Sequence, residues 1–204
     1  MKRKFLIIVA VVLTLSLISS VAFANEDIEK NQDQLLGFDE EKPSFSAYAG
    51  VAYDMLELSE VYDNDGVAFY TGGRKWLNDD IAVGLEGEAI LASSDFNHSD
   101  FPTEGVKIFN ISGLFTYEVL EGIYAIGGVG PYFASFDDGD GTFSDNTIGL
   151  KVGAEANFAL TEDINLVGRI AYREAEIDDF EANDTMGTID ISGSQIGIGA
   201  TMGF

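Results

Sequence analysis

From Ser44 to Phe204 apolar residues fall at every second position through successive segments, and small or polar residues fill the positions between them. The segments run roughly Phe45–Leu56, Val67–Leu77, Ile81–Ala92, Val106–Glu118, Ile123–Ala134, Thr147–Leu160, Ile164–Arg173 and Ile189–Phe204. A period of two sends alternate side chains to opposite faces of an extended chain, so each segment predicts a β-strand with one apolar face. In the sixth, Ile148, Leu150, Val152, Ala154, Ala156, Phe158 and Leu160 share a face, and Thr147, Gly149, Lys151, Gly153, Glu155 and Asn157 share the other. Helical spacing is missing from the region after Pro43, and the domain reads as all-β.

The connections alternate in kind. Residues 78–80, 119–122 and 161–163 are tight turns, whereas 59–66, 93–105, 135–146 and the stretch from Glu174 to about Thr188 are long. Short links at one end, together with both chain termini, and long links at the other predict an eight-stranded antiparallel up-and-down transmembrane β-barrel over 44–204. Its short turns then face the periplasm and its long loops the exterior. A soluble barrel of the lipocalin kind would turn the apolar face inward; a lipid-embedded one inverts this, with an apolar belt outside and a polar interior.

The cations favour the inverted reading. Strand parity puts Arg74, Lys151, Arg169 and Arg173 on the polar face with Asp54, Glu86, Glu88, Glu118 and Glu155. An eight-stranded lumen is only wide enough for side chains, so these groups can pair across it. The expectation is a plugged polar lumen with a charge network of Arg74, Glu86, Glu88, Glu118, Lys151, Glu155, Arg169 and Arg173. Glycines at 84, 128, 130, 153, 197 and 199 leave room for the long side chains. Lys75 and Lys107 fall on the apolar parity near strand ends, where a lysine can snorkel to the interface.

The region before the barrel divides in two. Lys2, Arg3 and Lys4, an apolar run from Phe5 to Ile18 and the site Ala22-Phe23-Ala24 predict a secretory signal peptide over 1–24. Residues 25–43 are polar and without periodicity, and read as a periplasmic N-terminal tether. With no cysteine, the exported domain has no disulfide framework. The formal net charge is −24, which loss of the three leader cations takes to −27. That balance argues against nucleic acid as a partner, because phosphates demand Lys and Arg. Adaptation to high salt and an acidic outer surface both account for it, and composition does not separate them.

Catalytic and metal signals are sparse. His98 lies beside Ser99 and Asp100, but three consecutive loop residues point in different directions and do not make a triad. The run "DDGDG" at 137–141 lacks the spacing of an EF-hand loop, leaving weak, multi-loop divalent cation binding open. No cofactor is implied. Tyr48, Tyr53, Phe69, Trp76, Tyr117, Tyr124, Tyr132, Phe133 and Tyr172 fit core and interfacial girdle better than a ligand box.

The closing "IGIGATMGF" and the hairpin "GGRKWLNDDIAVGLEGE" at 72–88 resemble the small bacterial outer-membrane β-barrels of the OmpX/Ail-like and OmpA-barrel type. The resemblance implies that Ile198, Ala200, Met202 and Phe204 form the C-terminal signal read by the outer-membrane assembly machinery. It also implies a monomer in the cell outer membrane, surrounded by outer-membrane lipids, with a structural or surface-interaction role. A narrow channel or OmpW-like conduit for small hydrophobic molecules is the rival reading, and an enzyme acting on lipids is a third.

Overall fold

The computed structural model describes residues 44–59, 62–92, 105–137, 142–161, 163–182 and 185–204. The expected signal peptide and tether, His98 with its loop, and residues 138–141 of the acidic run lie outside the described residues. Among the described residues ten strands form: β1 (Phe45–Ser59), β2 (Tyr62–Trp76), β3 (Ile81–Ala92), β4 (Gly105–Leu120), β5 (Ile123–Asp137), β6 (Thr142–Ala159), β7 (Ile164–Glu174), β8 (Glu176–Ala182), β9 (Thr185–Asp190) and β10 (Gly193–Gly203). Eight of them close into an antiparallel barrel in the order β1-β10-β7-β6-β5-β4-β3-β2, and β8 with β9 makes a separate two-stranded sheet. The seam runs from Ser46↔Gly203 to Leu56↔Gly193. Closure gives every barrel strand two neighbours, so no strand presents an open edge to its surroundings, as a hydrocarbon setting requires.

The short turns are built by the residues that marked them in the sequence. Asn78 Oδ1 accepts from Asp80 N at 3.0 Å and from Ile81 N at 2.8 Å, and Thr161 Oγ1 accepts from Ile164 N at 3.1 Å. Gly122 takes φ 72°, which a side chain disfavours, and its N–H donates to Glu118 Oε1 at 3.0 Å.

At the opposite end the strands outrun the expected boundaries. The expected loop 59–66 is mostly strand, since Leu56 pairs with Asn64 and Ser59 with Tyr62. The 135–146 link likewise narrows to residues 138–141, with Asp137 paired to Thr142. The stretch after Glu174 is not a loop but the β8–β9 hairpin, and the expected last strand from Ile189 splits into the end of β9 and all of β10. Acidic, glycine-containing sequence looks like loop, yet pairing with a neighbouring strand satisfies its backbone equally well.

Parity holds along the walls. Outward rows such as Val83 and Leu85, Phe109, Ile111 and Phe115, or Ile148, Leu150 and Val152 are exposed. Leu85 and Ile148 reach 66% and 75% exposure, and so wide an apolar belt marks a surface that meets an apolar phase or partner rather than water.

Candidate functional site

The inward rows divide the lumen into two storeys. Toward the rim opposite the termini, Leu56, Ile90, Ala92, Val106, Ile108, Ala134, Phe136, Ala175, Ile177 and Ile191 form one buried apolar cluster. This upper storey departs from the expected polar lumen: the inward positions near that rim are apolar, so side chains rather than solvent fill it. Below it the lumen is charged. Asp54, Arg74, Glu86, Glu88, Lys151, Glu155, Arg169 and Arg173 are all buried, four carboxylates against four cations.

These groups connect into one chain across the barrel. Arg74 Nη2 on β2 meets Glu155 Oε2 on β6 at 2.6 Å. Arg169 on β7 donates to the same carboxylate from Nε at 2.8 Å and Nη2 at 2.5 Å. Its Nη1 stands 2.7 Å from Glu86 Oε2 on β3, a charge contact rather than an aligned hydrogen bond. Lys151 Nζ bridges Glu86 Oε1 at 3.0 Å and Glu88 Oε2 at 2.7 Å. Gln195 Nε2 on β10 donates to Glu88 Oε1 at 2.7 Å and to Asp54 Oδ2 at 2.6 Å. Arg173 completes the chain, with both terminal nitrogens 3.2 Å from Asp54 and Nε donating to Ile191 O at 2.9 Å.

Aromatic rings wall this chain. Arg74 Cζ lies 4.3 Å from the Tyr48 ring centroid and Arg169 Cζ 4.0 Å from that of Tyr70, in reach of cation–π attraction. Tyr48 also donates to Glu86 Oε2 at 3.0 Å. Backbone without side chains makes the space: a Cβ at Gly50 or Gly72 would strike the Tyr70 or Tyr48 ring.

Of the eight residues named for the network, the structure brings together Arg74, Glu86, Glu88, Lys151, Glu155, Arg169 and Arg173, while Glu118 sits at the β4–β5 turn on the Gly122 amide. Gln195 was missing from that set. Its inward parity was readable, but nothing in the sequence says that a neutral amide bridges two carboxylates. Ile198, Ala200 and Met202 line the outer face of β10. Phe204 lies just beyond β10, its N–H donating to Phe45 O at 2.8 Å and its ring 6.4 Å from that of Phe45. Among the described residues no group of three or more His, Cys, Asp or Glu is placed to hold a metal ion.

No family model and no curated relative matches the chain. Solved structures do. Neisserial surface protein A superposes with TM-score 0.54 at 16% identity, covering 81% of this chain and 100% of that one. The chain has the fold of the small outer-membrane barrels. The Ail attachment invasion locus protein of Yersinia pestis (TM-score 0.47, 16% identity, 79% and 100% coverage) and OprG of Pseudomonas aeruginosa (0.45, 14%, 80% and 98%) also match. In this barrel an apolar wall faces outward, and the lumen holds a charge-balanced chain under an apolar layer.

Proposed function

We propose that this barrel sits in the outer membrane as a closed structural scaffold that presents its acidic far rim to the surroundings, and that it neither conducts nor catalyses. The observation that carries this is the double filling of the lumen. Arg169 on β7 and Lys151 on β6 reach Glu86 and Glu88 on β3 across the bore, and Leu56, Ile90, Ile177 and Ile191 are buried above them. The cavity lined by Tyr48, Tyr70, Arg74, Glu155 and Asn157 amounts to about 10 Å³, the lower limit for one water molecule. A conduit for small hydrophobic molecules would need free volume in the apolar storey, where this chain's own side chains pack. The outward wall supplies the lipid partners of such a scaffold, and the row Ile198, Ala200, Met202 with Phe204 is the surface the assembly machinery would read.

Planar-bilayer recording tests the reading. Membrane-inserted protein, verified by a heat-dependent shift in gel mobility, is expected to give no discrete conductance steps. Reproducible steps from the purified barrel would overturn the closed reading and favour the channel.

A further inference from the structure

The outer wall carries two grooves of similar size and different chemistry. One, about 410 Å³, is lined by Val51, Tyr53, Val67, Ile196 and Ile198 and offers no charged group. The other, about 460 Å³, crosses β3 to β6 close to the rim opposite the termini. Its lower half is apolar up to Asn146 on β6: Ala89 is a small residue in a row where register sets Phe69 on one side and Phe109 and Phe133 on the other. The missing bulk at Ala89 makes the notch, and the Phe109 and Phe133 rings, 6.5 Å apart, wall it. One level nearer the rim, Lys107 stands above Phe109 on the outward face of β4, with Ser135 and Ser144 on its β5–β6 side and Leu91 on its β3 side, while Asn146 lies level with Phe133. Asp145 also lines the groove, and its carboxylate opposes an anion, so the site favours a headgroup that approaches from the Lys107 side.

We infer that this groove is a binding site for a phosphate-bearing lipid: the acyl chain lies along the apolar notch and the headgroup phosphate pairs with Lys107. Charge complementarity selects that occupant. An acidic chain repels anionic headgroups almost everywhere along its rim, and Lys107 supplies an exposed cation level with Ser135 and Ser144, one step above the Phe109 and Phe133 rings. A lysine at a membrane surface attracts an anionic lipid with an energy that corresponds to about five-fold enrichment. The inference rests on the proposed membrane placement of the barrel, and the experiment separates the two.

The test uses the barrel in nanodiscs of mixed phosphatidylglycerol and phosphatidylcholine, with retained lipids counted by native mass spectrometry after insertion is verified by gel mobility. Wild type is expected to retain phosphatidylglycerol about five-fold over its bulk share. Lys107→Gln is expected to abolish the preference, and Ala89→Leu, which fills the notch, to lower retention of both lipids. Lys75→Gln, an exposed lysine at the other end of the wall, should leave the preference intact. An inserted wild type without preference, a preference that survives Lys107→Gln, or an equal loss with Lys75→Gln overturns the inference and leaves the barrel standing. Failure of wild type to insert overturns the membrane placement instead.

Discussion

At the scale of single residues, the charged lumen stakes stability on complete pairing. Burying ions costs solvation that their mutual attraction only roughly offsets, so the intact chain adds little net stability, while removing one member strands its partners. Arg169 serves both Glu86 and Glu155. Arg169→Ala is therefore expected to cost about 3–5 kcal/mol, the range for breaking a buried pair, read as a lowered urea midpoint in detergent micelles. Lys75→Ala, on the exposed face, should move it by less than about 1 kcal/mol; equal effects would mean that Arg169 is not committed to its partners. Alternation alone told which of these residues point inward, because parity needs no knowledge of neighbours. It could not tell who pairs with whom: Arg173 meets Asp54, 119 positions away, through the stagger of a closed sheet that no single strand records.

At the scale of elements, strand contacts depend on where side chains are missing. The ladder of β4 and β5 is interrupted between Asn110↔Tyr132 and Gly113↔Val129. Pro131 lies in the gap and has no N–H to give, and its carbonyl instead accepts from Asn110 Nδ2 at 2.9 Å. Beside it, a Cβ on Gly130 would collide with the Ile111 carbonyl, backbone that can yield only by parting the strands. Gly130→Ala is expected to destabilise the barrel by more than about 1 kcal/mol, whereas Gly87→Ala, with nothing within 4 Å of the new methyl, should be tolerated. Thermal unfolding followed by gel mobility compares the two, and similar midpoints would remove the close-approach argument. The strand count of the barrel was legible from the turns, which use residues with local chemistry such as Asn78 and Gly122. The hairpin β8–β9 and the upper ends of β2 and β6 were not, since Asn64, Asp65 and Ser144 carry loop-like composition into paired backbone. The apolar storey was hidden differently: Ile90 and Ile108 stand on the mostly polar parity, so a row averaged along its length reads as polar throughout.

At the scale of the whole molecule, the seam decides whether there is a barrel at all. Phe204 docks on Phe45 through backbone and ring contacts where β1 meets β10. Phe204→Asp is expected to lower outer-membrane accumulation and leave protease-sensitive protein in the periplasm, measured by fractionation; unchanged accumulation would detach Phe204 from assembly. The lumenal chain then sets the order of events during biogenesis. Asp54 on β1 finds Arg173 on β7 and Gln195 on β10, and Arg169 on β7 finds Glu86 on β3. A half-built sheet would hold bare carboxylates and guanidinium groups against hydrocarbon, each costing several kcal/mol. Entry of hairpins one after another is therefore disfavoured, and the sheet is expected to curl and pair these groups before, or as, it passes into lipid.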